Sequence, residues 1–561
     1  MSNQRRNKDL IQLGLALLLL AGLNMLNQRY FKRVDLTAEK RYSLSDSTRA
    51  MLRRLDDVAL ITVYLEGKDF PVGFKRLQNA TRELLDEFRF YAGTNIEYRF
   101  VDPMANPDKK VQSDIYYELI DKGLIPTDLT VKDEKGRSSR SIFPGAVVAY
   151  NGREEAVQLL QSQFNQNPEW VLNQSIERLE YEFSKALFKL MHFENKKTVA
   201  FSRGHGEMNE VYLMDFIIGL RDFYEVEGVE ISNNLDALSQ NTACLIIAKP
   251  DSAFSDASKF IIDQYIMRGG TALWLLDHVQ SNMDSLRTAN YTLGLPFDLN
   301  LYDQLFRYGV RVNPTLIQDA QCAPIPIQTG NFGNQNKQEL LPWYYYPVII
   351  PKEKHPVVKN LNAIRLQFAN TVDTIQTPGV SKTILLSTSE LTKVLYAPVR
   401  IALNVVEQEP TPERFNKPHQ PVAVLLEGTF RSVFENKIVE LSDRLVIKES
   451  KPTKMIVVGD GDIAKNLYNP KENNYVPLGL DPRTGIYYGG NKSFLLNAVN
   501  YLTGDGWFIP LRSKEFRIRL LDRNRITTEK EKWKIINTAL PVAWVLLFGL
   551  VYNYIRKRRF A

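Results

Sequence analysis

KKTVAFSRGHGE at 196–207, ACLIIAKP at 243–250 and TALWLLD at 271–277 decide the fold. Each is a short apolar run closed by Gly, Pro or Asp, and helix-patterned stretches at 209–223 and 255–268 separate them. Strands alternating with helices of this length predict a doubly wound parallel sheet, buried on both faces. VEGVEIS (226–232) adds a strand, and the pattern resumes with PVAVLLEG (421–428), KMIVVGDGDIA (454–464) and a helix over 490–503. Residues 278–420 break the rhythm with Pro-rich and aromatic runs such as LPWYYYPVIIP at 341–351. The expectation is one α/β domain over 196–515 that carries 278–420 as a large insertion.

Upstream, ITVYLEG (61–67) and IEYRFVD (96–102) read as strands around a helix at 74–91. A helix at 111–122 and the strands DLTVKD, AVVAYNG and EAVQLL follow. This order predicts a thioredoxin-like domain over 31–195. That interval holds no cysteine, so C-x-x-C redox chemistry is excluded there. Ser45 followed by Thr48 predicts a capped helix at the domain's entry, and an apolar stripe over 172–193 predicts a helix bridging the two domains.

The chain of 561 residues carries a net charge of +7, but residues 1–9 contribute +2 and the tail after Ile555 contributes +4. The body is nearly neutral, which gives no electrostatic footprint for nucleic acid. Both basic ends abut apolar runs. Leu10–Leu26 is uncharged over 17 residues, about 26 Å as a helix, and Ile535–Ile555 is uncharged over 21, about 31 Å. These predict transmembrane helices at 10–26 and 535–555, with 1–9 and 556–561 as cytoplasmic tails by the positive-inside rule and 516–534 as the linker returning to the membrane. A cleaved signal peptide is the rival for the first run, but no A-x-A-like site follows it. The body between the spans is expected in the periplasm. Gly14, Gly22 and Asn24 in the first span, with Gly549 and Asn553 in the second, are candidates for contact with a membrane partner, because small residues let helices approach and amides seek partners away from lipid. Pro541 is expected near the start of the second helix, where a missing N–H costs least.

Sites are sparse. Gly459-Asp-Gly461-Asp-Ile-Ala464 matches G-x-G-x-x-A, with Asp481 seventeen residues on, yet Asp460 and Asp462 put negative charge where pyrophosphate would sit. A tight βα turn whose glycines relieve backbone strain is the preferred reading. Gly485–Ser493 falls short of a P-loop because Asn491 displaces Lys492 by one position. Gly204, His205, Gly206 and Glu207 lie at the carboxyl end of a strand, where open α/β sheets bind ligands, so they join Asp277, Asp460 and Asp462 as candidate ligand-binding residues. An extracytoplasmic hydrolase using this GHGE turn, or a glycan- or lipid-binding module using Trp343 to Tyr346, are the alternatives. No nucleophile elbow and no H-E-x-x-H occur, and with five His and two Cys no catalytic residue, metal site or cofactor is expected.

DLTAEKRYSLSDSTRAMLRRLDD (35–57), GHGE (204–207), LIIAKPDSAFSDASKFIIDQYIMRGGTALWLLD (245–277) and GGNKSFLLNAVNYLTGDGWFIPLRSKEFRIRLLDRNRI (489–526) occur in that order. Together they resemble the GldG type of gliding-motility ABC-transporter auxiliary protein over nearly the full length. The resemblance implies a non-enzymatic, membrane-anchored accessory subunit working with a separate permease and a separate cytoplasmic ATPase. It also implies a link to gliding motility and its secretion machinery, and a sheet related to amidotransferase-like folds without their nucleophile. Paired ATPases drive such permeases, so two copies of this chain per complex are expected.

Overall fold

The computed structural model describes residues 43–505 and 523–560, apart from 68–69, 134–135, 161–167, 194–195, 233–236, 239–240, 288, 333–334, 360, 438–445 and 473. It also describes 13–15, 19 and 22 of the first apolar run. The chain forms two units, one holding the described residues from 43 to 505 and the other the C-terminal helix.

In the first unit, β1 (Ala59–Val63) pairs parallel with β2 (Ile96–Phe100), the helix Val72–Ala92 crossing between them. A hairpin of β3 (Thr127–Asp133) and β4 (Gly136–Ile142) intervenes. Next, β5 (Gly145–Tyr150) pairs antiparallel with β1 and with β6 (Arg153–Gln158), for a strand order β2-β1-β5-β6. Ser45 caps the helix Asp46–Leu52 by accepting from the Thr48 amide, and the Thr48 hydroxyl reaches Glu180 at 2.9 Å. Glu180 belongs to the long helix Pro168–Met191, which puts Phe183 against Phe88 on one side and Phe188 against Phe223 on the other. That helix is therefore shared core for both halves of the unit.

A seven-stranded sheet follows, with β7 (Thr198–Arg203), β8 (Glu225–Glu230), β9 (Thr242–Ala248) and β10 (Thr271–Leu275) joined by Thr453–Val458, Pro421–Gly428 and Val380–Ser387. Along β9, β10 and Thr453–Val458 the apolar run is continuous because both faces are covered. Ile246, Leu273 and Ile456 pack with Phe216 and Phe494, from the helices Met214–Arg221 and Gly490–Leu502. Their neighbours Ile247, Trp274 and Val457 pack with Ile261 and Tyr308, from Asp256–Met267 and Tyr302–Tyr308. The expected all-parallel sheet is corrected here. Six strands run in one direction, five of them adjacent and paired in parallel, but Pro421–Gly428 runs antiparallel to both of its neighbours. A parallel return needs a crossover element, and among the described residues no helix lies between Gly428 and Thr453.

Within the insertion, Trp343, Tyr344, Tyr345 and Tyr346 are at most 6% exposed and form a core of their own with Phe368 and Phe415. This corrects the reading of these rings as a glycan- or lipid-stacking surface: they are consumed by packing.

The second unit contains one helix, Arg523–Phe560. Its segment Lys532–Arg558 is long and apolar enough to cross a membrane, with a mean hydropathy of 1.9 over its most apolar window and none of that window buried. Pro541 lies well inside the helix rather than near its start, so the carbonyl four residues back, on Asn537, loses its backbone donor. In the first run, Gly14 and Gly22 are helical and exposed, while Asn24 lies outside the described residues.

Candidate functional site

The carboxyl ends of β9, β10 and Thr453–Val458 open into a cavity of about 450 Å³. Among its lining residues is Lys249, directly after β9, at φ +52° with its backbone N–H donating to the Leu275 carbonyl at 2.8 Å. Its ammonium lies 2.5 Å from Asp462 and 3.2 Å from Asp277. Asp277 accepts from the Gly461 amide at 2.7 Å, and Asp460 accepts from the amides of Asp462 and Gln367 at 2.7 and 2.6 Å. The three acids singled out in the sequence, Asp277 lying more than 180 residues before Asp460 and Asp462, thus meet around one lysine. Burial opposes the charge on Lys249, but Asp277 and Asp462 outweigh it and raise its pKa. Burial pushes Asp277 up, with Lys249 partly offsetting it; burial, then Asp277 and Asp462, push Asp460 well above the carboxylate range. A lysine locked as ammonium cannot serve as a nucleophile at neutral pH. This cluster is an internally compensated clasp.

The clasp also explains the G-x-G-x-x-A match. A Cβ on Gly459 would meet the Asn370 carbonyl at 2.4 Å, and one on Gly461 would meet Lys249 at 2.6 Å. The glycines admit the protein's own chain, and Gly461–Ala464 is a single 3-10 turn rather than the long helix a pyrophosphate needs. Asp481 is turned to Arg365 at 3.1 Å. Lys492, of the near P-loop, pairs with Asp215 at 2.6 Å. Lys249 and Arg365 were not evident as site residues in the sequence; a lysine abutting a buried strand end was the available signal for the first.

The GHGE turn occupies a second place, at the end of β7. Gly204 and Gly206 adopt φ +111° and +68°. The His205 carbonyl accepts from the amides of Asp251 and Ser252, which ties the turn to the segment after β9. The His205 ring is buried, stacks on Phe254 at 3.8 Å and meets Ser258 Oγ at 3.0 Å through Nε2, while Nδ1 lies 3.5 Å from Glu207. Ser258, His205 and Glu207 therefore follow one another as in a hydrolase triad. Ser258, however, is 1% exposed and donates to the Ile231 carbonyl at 2.8 Å, so no substrate carbonyl can approach its oxygen. The described sulfur chemistry is equally inert: burial pushes the Cys244 thiol up to about 12. Among the described residues no group of three or more His, Cys, Asp or Glu is arranged to hold a metal ion. Gly549 and Asn553 stand one turn apart, exposed, on the C-terminal helix.

Residues 196–498 match the family described as "ABC-type uncharacterized transport system", and the chain belongs to that family of transport-system auxiliary proteins. Residues 38–149 match a family described as "Domain of unknown function (DUF7088)". A solved structure described as "mmIFT52 N-terminal domain" aligns over 54% of this chain and 97% of its own, at 13% identity and a TM-score of 0.31. No curated protein matches the chain.

Proposed function

We propose that this chain is the membrane-anchored, non-enzymatic accessory subunit of an ABC transporter of the gliding-motility-associated, GldG-like type. Its body stands outside the cytoplasm on two spans, 10–26 and 535–555. The observation that carries this reading is the fully exposed apolar helix Lys532–Arg558, placed after the auxiliary-family segment 196–498 in the same chain. An apolar surface of that length demands lipid or a partner. The non-enzymatic reading draws support from the clasped lysine and the sealed Ser258. The strand order β2-β1-β5-β6, with a helix between β1 and β2, supports a thioredoxin-like description of 31–195.

In this account a separate permease contacts the spans through Gly14, Gly22, Asn24, Gly549 and Asn553, a cytoplasmic ATPase drives it, and two copies of this chain serve each complex. The body couples that machinery to an envelope partner or cargo. Topology is tested in a background lacking Cys244 and Cys322. Lys135→Cys is expected to react with a membrane-impermeant thiol reagent in intact cells, whereas Asn3→Cys and Phe560→Cys are expected to be protected. Labelling at 560 with protection at 135 would overturn the orientation.

A further inference from the structure

We propose that the cavity beside the GHGE turn receives a cationic nitrogen group, a primary ammonium or a guanidinium, with Glu207 as its counter-charge and Ser202 as a second acceptor. The cavity measures about 430 Å³ and is lined by Ser202, Arg203, Glu207, Asn209 and Glu210 among others. It lies where β7 ends, and β7 has β8 on one side and β9 on the other. The chain reverses its direction of winding there, the place where open α/β sheets leave a crevice for ligands.

Glu207 has a side chain only 5% exposed. Its Oε2 accepts the His205 amide at 2.7 Å, but Oε1 has only His205 Nδ1 at 3.5 Å and makes no hydrogen bond of good geometry among the described residues, nor does that ring nitrogen. Ser202, 3% exposed, stands close enough to Glu207 to favour its charge, but its Oγ makes no hydrogen bond of good geometry. Burial works against the Glu207 charge, yet the side chain and backbone of His205, with smaller help from the Glu207 backbone and the Ser202 hydroxyl, outweigh it and hold the group below its ordinary range. No lysine or arginine pairs with it: the His205 ring is the facing group, with Nδ1 3.5 Å from Oε1, Arg203 is engaged by Glu210, and Glu230 adds a further carboxylate beside Gly204.

A buried carboxylate oxygen without a well-formed hydrogen bond is costly, and the cost is removed by an occupant that brings N–H donors and positive charge. An anion is repelled by Glu207, and an apolar group leaves both oxygens unpaired. The cavity exceeds an ammonium in size, so the group arrives on a larger body, either a free amine solute or a lysine or arginine side chain of a peptide segment. The inference is independent of the membrane topology proposed above.

The test is calorimetric titration of the full-length chain in lipid nanodiscs with cadaverine and with a capped Ala-Lys-Ala peptide, its lysine-acetylated form serving as control. At least one cationic probe is expected to bind; cadaverine alone indicates a solute, the peptide alone a protein segment, and both the shared chemistry. Glu207→Gln keeps a carbonyl for the His205 amide and is expected to weaken binding at least tenfold, while Lys465→Gln in the other cavity leaves it within twofold. Should Glu207→Gln fail to fold, Ser202→Ala is expected to weaken binding several-fold. Absence of binding by both cationic probes, equal binding of the acetylated peptide, or wild-type affinity in the variant that folds would overturn the proposal.

Discussion

At the scale of single residues, the clasp around Lys249 is where charge and burial are most closely balanced. Removing one partner of a buried ion pair strands the other, at a cost of about 3–5 kcal/mol. Lys249 is 29% exposed, so Lys249→Met is expected near the lower end, about 3 kcal/mol. The cost depends on pH with a definite sign. Asp277 and Asp460 already have folded-state pKa values raised above 3.8, so each favours the folded state at low pH and loses that contribution as pH rises through its folded value. Without Lys249 both carboxyls rise further. Thermal unfolding of the variant, followed from pH 4 to pH 7, should therefore fall away from the wild-type curve as pH increases; parallel curves would contradict the clasp. The acids were legible in the sequence because each sits just beyond an apolar strand. Lys249 was not, because its place at a buried strand end gives no hint of partners that lie 28 and 213 residues further along the chain.

Elements differ in how much of their geometry a sequence carries. The runs at β7, β9 and β10 announce burial on both faces, and strands stand there. PVAVLLEG announces the same burial, but hydrophobicity says nothing of direction, so its antiparallel course depended on a connection with no described helix. The β4 segment GRSSRSI has no apolar period, and its pairing with β3 was invisible for that reason. Two turns make a direct comparison. Gly152 closes the β5–β6 hairpin with Asn151, at φ +72° and with open space around a would-be Cβ. Gly206 has φ +68°, but its Cβ would collide with the Asp251 carboxylate. Gly152→Ala is expected to cost about 1–2 kcal/mol from backbone strain alone. Gly206→Ala is expected to cost about 1–3 kcal/mol more, because Asp251 must also move. Chemical unfolding of the two variants side by side measures the difference, and equal losses would show that the GHGE turn is not wedged against the segment after β9.

For the whole molecule, the family and the exposed C-terminal helix support an auxiliary role in an ABC-type transport system, and the proposal to be tested is that the body acts through what it touches rather than through bonds it makes. The auxiliary family was readable from ordered motifs spread across the chain, since no single one of them carried chemistry. The same resemblance implied association with an ABC transporter, but the residues that would make the contact were not legible, because a contact surface leaves no fixed spacing in a sequence. The direct measurement is to tag the full-length chain at its native level, extract the membrane mildly and identify what co-purifies, with ATP hydrolysis assayed on the recovered material and on the isolated chain. Recovery together with a permease and a separate ATPase, with hydrolysis confined to the complex, is the result this account predicts. Recovery of the chain without either subunit, or hydrolysis by the isolated chain, would contradict it.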